Sequence, residues 1–244
     1  MSRLGGWLRR GVDERAAAGL AIRHDEAVAL LREGHPELAV PQLEQLLIGC
    51  RTVFGVRHGP TLTVEGNLAV AYLCAERLDE GHALLVEVYK TRQRVLGPDD
   101  PATLTAGDCL ATAHRLLGRN AEAVALGKRV VAARTAALGR AHLDTLTSRM
   151  GLALAYLATG AVPEARARLE AALSDADDAL GTAHPHVIEL RVALARAHVA
   201  DGQVLAAVSE FDEAIAASET IYGPDHRETA DLHAERDELQ PAAT

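Results

Sequence analysis

The stretch that decides the architecture is Leu96–Ala123, LGPDDPATLTAGDCLATAHRLLGRNAEA. It holds no obvious set of catalytic residues, yet its order is deliberate. Gly97 is followed by acids and Pro101, then by Thr103-Leu104, a Leu110-Ala111 pair, Gly118 and Glu122-Ala123. A catalytic site would occur once, whereas a building block recurs. This stretch recurs. Glycine stands at Gly55, Gly97, Gly139, Gly181 and Gly223, every step being 42 residues. Three residues after each comes His58, Asp100, His142, His184 or His226; six after comes Thr61, Thr103, Thr145, Val187 or Thr229. The pair Leu68-Ala69 returns as Leu110-Ala111, Leu152-Ala153 and Leu194-Ala195, followed four residues after the leucine by Tyr72, His114, Tyr156 and His198. A second glycine recurs as Gly34, Gly118, Gly160 and Gly202, with Glu76 in the one gap. Five residues on stands Ala39, Gly81, Ala123, Ala165 or Ala207. A register held without insertion at this period marks a solenoid of stacked repeats.

One repeat can be read physically. Asp100 suits an N-cap and Pro101 sits where a missing N–H costs nothing. A first helix runs to about Leu117, with Leu110, Ala111 and His114 on one face. Gly118-Arg119-Asn120 makes a turn. A second helix runs from about Ala121 to Leu138, with Ala123, Val124, Val130 and Val131 on its apolar side, and Gly139 ends it. The small residues at Ala111 and Ala123 let the two helices approach closely. The expected fold is all-α: about five helix pairs in a right-handed superhelix, closed by one further helix.

The expected boundaries are an N-terminal segment 1–13, an array over 14–223 with units near 14–55, 56–97, 98–139, 140–181 and 182–223, and a capping helix and tail over 224–244. The first unit is degenerate, with Pro36 and Pro41 early in its second helix, as end units often are. The closing run DHRETADLHAERDELQ reads as a helix polar enough to face water.

The motif Leu152-Ala153, Tyr156, Gly160, Glu164-Ala165 resembles the tetratricopeptide repeat. The 42-residue period, with LGPDDPATL, LGRAHLDTL and LGTAHPHVI between units, is similar to kinesin-light-chain-type repeats, a form also found in bacterial proteins. A HEAT-type array fits the period but not the spacing of glycine before Glu-Ala. The resemblance covers about residues 20–232 and implies a concave face, lined by the first helix of each pair, that binds peptide segments. In many members an Asn before the Leu-Ala pair bonds the peptide backbone. The matching positions here are Asn67, Cys109, Gly151 and Ala193, so only Asn67 carries that role over. The Lys, Arg and Asn cluster with which some members grip a C-terminal carboxylate has no counterpart.

The face of the first helices opposite the packed residues comprises His24, Val28 and Leu31; Gly66, Val70 and Leu73; Asp108, Thr112 and Arg115; Met150, Leu154 and Leu157; Val192, Arg196 and Val199. Together with Asn67 these form the expected groove. A solvated face would be polar, and this one is largely apolar, which fits a binding surface. The expected occupant is an amphipathic helix or strand whose acidic residues meet Arg115 and Arg196. The alternative is ordinary packing between neighbouring helices, with Leu154 and Leu157 as core.

Composition narrows the function classes. A net charge of −9 argues against nucleic acid and anionic membrane as partners. Aromatic residues are only 3%, so the core is built from Ala, Leu and Val. Abundant Ala, with Arg far outnumbering Lys, suggests a GC-rich bacterial genome. Three cysteines without a CxxC pair suit a reduced, cytoplasmic compartment. His184-Pro185-His186 resembles a metal pair, but His184 belongs to the repeating loop position. His114 and His198 hold the tyrosine position and are expected to pack, and Cys109 has no histidine placed beside it by the sequence. Neither a cofactor nor an enzymatic activity is therefore expected. A ligand-responsive regulator, or an enzyme acting on a hydrophobic small molecule in the groove, are the other two readings. Leu4, Trp7 and Leu8 lie at i, i+3, i+4 among Arg3, Arg9 and Arg10, opposite in charge to the acidic C-terminal helix. They either cover the first helix pair or dock in a groove, which leaves a head-to-tail homodimer open.

Overall fold

The computed structural model describes residues 14–239. Among them are eleven helices and no strand. They are α1 (Glu14–Arg32), α2 (Pro36–Phe54), α3 (Gly59–Cys74), α4 (Leu78–Val95), α5 (Pro101–Leu116), α6 (Asn120–Leu138), α7 (Leu143–Ala158), α8 (Val162–Leu180), α9 (Pro185–Ala200), α10 (Val204–Tyr222) and α11 (Arg227–Glu238). The chain divides into two compact units, Met1–Leu117 with α1–α5 and Gly118–Thr244 with α6–α11. Within each, every helix packs against its neighbours in sequence. The odd-numbered helices are the first, or A, helices of the pairs, and the even-numbered ones are the B helices. Leu4, Trp7 and Leu8 lie outside the described residues.

The repeating positions explain the helix ends. At the turn after α7, the Gly160 N–H donates to Leu157 O at 2.9 Å and the Ala161 N–H to Tyr156 O at 3.1 Å. This closure needs a left-handed residue, and Gly160 supplies it at φ 81°. The gap in the glycine pattern, Glu76, holds the same conformation at φ 59°, the one non-glycine residue described with positive φ.

At the other loop, Asp100 accepts the Ala102 N–H at 2.8 Å, the N-cap read from the sequence. His142, His184 and His226 do the same work with a ring nitrogen. Nδ1 accepts from the N–H of Asp144 at 3.2 Å, of His186 at 3.2 Å and of Glu228 at 3.3 Å. Each imidazole must therefore carry its proton on Nε2. The recurring threonine ties helix to loop: Thr61 donates to Gly55 O at 2.8 Å and Thr229 to Gly223 O at 3.0 Å.

Small residues set the helix spacing. Ala39, Ala123, Ala165 and Ala207 are fully buried. At the same position, a methyl group on Gly81 would lie 2.7 Å from Leu73 Cδ2 and 2.9 Å from Ala69 O, so α3 and α4 approach too closely for alanine. Leu73 is thus packed into the seam of its own helix pair.

Two interior positions carry charge. Position 50 recurs as Cys50, Arg92, Arg134, Ala176 and Ser218, all buried. Arg92 donates to Leu62 O at 2.9 Å and Ala102 O at 2.7 Å, tying α4 to the A helices on either side. Arg134 donates to Asp144 O at 2.6 Å and Ser148 Oγ at 3.0 Å. The second position pairs a B helix with the next A helix across fourteen residues. Arg51 meets Glu65 at 2.8 Å, whereas Asp177 meets Arg191 at 3.2 Å, with the sign reversed. Arg191, almost buried, also holds Glu210 at 3.0 Å and Glu213 at 2.5 Å. Burial keeps the Glu210 carboxyl above its usual range against the pull of Arg191.

Candidate functional site

The A helices of the second unit build a cavity. Met150 and Leu154 on α7, Ile188 and Val192 on α9, and Leu232 on α11 supply its apolar lining, and its volume is about 370 Å³. Met150 and Leu154 are half-buried and also pack against the core of this unit. Leu154 therefore meets the core on one side and lines the cavity on the other. The rim is acidic, formed by Glu189, Glu228, Asp231 and Glu235. Among the described residues, the sole cation in the lining is Arg196. It does not stand free, because Nε donates to Glu235 Oε1 at 2.7 Å and Nη2 to Oε2 at 2.9 Å. That bidentate bond lifts the Arg196 pKa above its ordinary value.

The other expected groove residues are placed as follows. Leu157 packs against the core of the second unit outside this cavity, and Val199 is exposed on α9. In the first unit, Asn67 donates from Nδ2 to His24 Nε2 at 2.8 Å, so the amide proposed for a peptide backbone is engaged within the chain. Val70 lines a smaller cavity of about 230 Å³ with Gly66, Asn67, Thr105 and Cys109. Asp108, Thr112 and Arg115 are half-buried on α5. The structure thus brings Met150, Leu154, Val192 and Arg196 together in one place, and Asn67 and Val70 in another.

The contribution of α11 was missed in the sequence. That helix reads as a water-facing closure, yet Thr229 is buried and Leu232 enters the cavity. The signal was present: Glu235 stands 42 residues after Ala193, at the position of Asn67, so α11 is a sixth A helix in register. A polar helix still contributes one apolar side chain and three rim carboxylates to the site.

The residues weighed for chemistry have structural partners. His114 meets His82 edge to face at 4.9 Å, and His198 Nδ1 lies 3.0 Å from Gln203 Oε1. Burial pushes the Cys50 thiol up to about 11, opposed weakly by Arg23, which makes it a poor nucleophile. Tyr72 rises to about 12 through burial and its hydrogen bond to Glu44. No group of three or more His, Cys, Asp or Glu among the described residues is placed to hold a metal ion. None of the described helices is long and apolar enough to cross a membrane.

Comparison with known proteins follows the register. A family model described as tetratricopeptide repeat matches residues 60–136 and 104–178, and a second of the same description matches residues 187–228. Among solved structures, the chain is similar to a Podosopora anserina protein described as a kinesin light chain with nearly identical TPR-like repeats. The identity is 30%, over 83% of this chain and 96% of that one, with a TM-score of 0.67. Two further likenesses are of fold alone. BtubC (BKLC) from P. vanneervenii is 14% identical over 94% of this chain and 85% of its own, with a TM-score of 0.66. A thermophilic TPR protein in Thermus thermophilus is 17% identical over 90% and 98%, with a TM-score of 0.66. No curated protein matches the chain.

Proposed function

We propose, from the premise that this chain belongs to the tetratricopeptide repeat family, that it is a non-catalytic interaction module whose A-helix face takes an amphipathic peptide segment of a partner protein. The observation that carries this reading is the cavity of α7, α9 and α11, with its apolar lining and its rim of four carboxylates. Apolar side chains of the partner enter against Met150, Leu154 and Val192, and basic side chains meet Glu189, Glu228 and Asp231. A cavity of about 370 Å³ is at the small end of ligand-pocket sizes, which suits one or two anchor side chains better than a whole cofactor.

The charge expected of the partner changes with the structure. Two arginines on a largely apolar face point to an acidic partner when the sequence is read alone. Arg196 already holds Glu235, so at this end of the face a partner's carboxylate would meet carboxylates. A basic amphipathic segment fits. In the first unit Val70, Thr112 and Arg115 are the groove contacts under this reading, while Asn67 serves by holding His24 in place.

The test is fluorescence anisotropy with two labelled synthetic peptides that share apolar residues at i, i+3 and i+4. One is flanked by Lys and Arg, the other by Glu. The basic peptide binds and the acidic one does not. Leu154→Asp weakens binding by at least about tenfold, equal to roughly 1.4 kcal/mol. Because Leu154 also meets the core, the rim variant Glu189→Lys with Glu228→Lys provides the second arm, with circular dichroism as the check on fold. Equal or better binding of the acidic peptide overturns the reading.

A further inference from the structure

We infer that the cavity of α7, α9 and α11 takes residues 1–13 of a second copy of this chain, joining copies head to tail. The inference rests on the groove reading above and adds the identity of an occupant. Three observations support it.

The first is charge. Residues 204–239 carry ten carboxylates against two arginines, Arg227 and Arg236. Arg236 is bonded to Asp212 at 2.9 Å and to Asp237 at 2.6 Å, and Arg227 lies 3.7 Å from Asp231, so both cations are already matched. Residues 1–13 are the reverse, with Arg3, Arg9 and Arg10 against Asp13 alone.

The second is pattern. Leu4, Trp7 and Leu8 stand at i, i+3 and i+4, the spacing that puts three apolar side chains on one side of a helix, and the arginines flank them. Groove-bound amphipathic helices are read by that spacing.

The third is the lining. Glu189 and Glu228 on the rim are exposed and stand in no ion pair among the described residues, so they can meet guanidinium groups without breaking a bond inside the chain. The apolar lining below them, from Met150 to Leu232, offers an indole-sized anchor a dry contact.

A contact between the first segment of one copy and the last A helix of another is heterologous. The mass reached at high concentration tells a reciprocal pair, in which each copy fills the other's cavity, from a longer chain of copies.

The chain contains a single tryptophan, Trp7, which makes the occupant its own probe. Emission of the full chain is recorded from about 0.1 to about 100 μM, alongside the weight-average mass by light scattering, a range that brackets micromolar affinity. The expected result is a blue shift of Trp7 emission that rises with concentration together with mass. Glu189→Lys with Glu228→Lys moves the midpoint up by at least about tenfold while circular dichroism is unchanged, and added salt moves it the same way. Three results would overturn the inference: Trp7 emission fixed at its solvent-exposed position throughout, a blue shift independent of concentration, or a shift indifferent to the rim substitutions. Adding the labelled basic peptide to a Trp7→Ala chain separates the two claims. If that peptide binds while Trp7 in the parent chain never shifts, the groove reading stands and self-docking falls. If neither occurs, both fall.

Discussion

The two compact units follow one register and fill it with opposite chemistry. In the first, Asn67 on α3 reaches across to His24 on α1. In the second, the same register position is Glu235 on α11, reaching across to Arg196 on α9. An amide–imidazole hydrogen bond in one unit and an ion pair in the other thus use the same position of the register. The seam between a B helix and the next A helix is Arg51–Glu65 in the first unit and Asp177–Arg191 in the second. The cap is Asp100 in one and His142, His184 and His226 in the other. Register determines where a side chain sits and how deeply it is buried. It leaves the sign of the charge open, provided that the facing position changes with it.

The sharpest way to break this equivalence is to remove the arginine of each seam. Arg191→Ala leaves the part-buried Asp177 and Glu210 without their counter-charge, and costs about 3 kcal/mol in urea unfolding. Arg51→Ala leaves the mostly buried Glu65 unpaired and costs less, roughly 1–3 kcal/mol, because Arg51 itself is half exposed. Equal losses would mean that depth of burial does not separate the two seams.

The next comparison concerns helix spacing. Gly81→Ala forces Leu73 and the Ala69 carbonyl apart and costs roughly 1–3 kcal/mol. Ala165→Gly at the matching position in the second unit creates no clash and costs about 1–2 kcal/mol, through helix propensity and the loss of a buried methyl group. Thermal midpoints of the two variants rank them.

The turn offers a gain in one unit and a loss in the other. Glu76→Gly relieves a left-handed residue of its side-chain strain and stabilises the first unit by ~1 kcal/mol, and Gly160→Ala costs the second unit a similar amount. The smallest effect is at the caps. His142→Asp places a negative charge at a helix N-terminus and stabilises by about 0.5 kcal/mol, with Asp100→His moving the other way. Both are resolved by denaturant midpoints at fixed pH.

The fold was legible because its signals are local. Asp100 caps within two residues, and the turn at Gly160 closes within five. Any array of the same step would show them. The candidate site was only half legible, because its decisive contacts span distance. Arg196 meets Glu235 thirty-nine residues on, which turns an available cation into a committed one and reverses the partner's expected charge. Leu154 gives no sign in sequence that it faces both core and cavity. The polar composition of α11 hides its place on the A-helix face, since Leu232 is a single apolar residue among charges. Only continuation of the 42-residue step to Glu235 points there.

The reversed seams also constrain how such an array can be rearranged. Transpose the α3–α4 repeat with the α9–α10 repeat, and every hydrophobic position still finds its counterpart. Arg51 would then face Arg191, however, and Asp177 would face Glu65. Two like charges would be pressed together where each moved repeat meets the B helix before it. At these two seams the sign of the charge acts as an address: two repeats that share one shape are not interchangeable parts there.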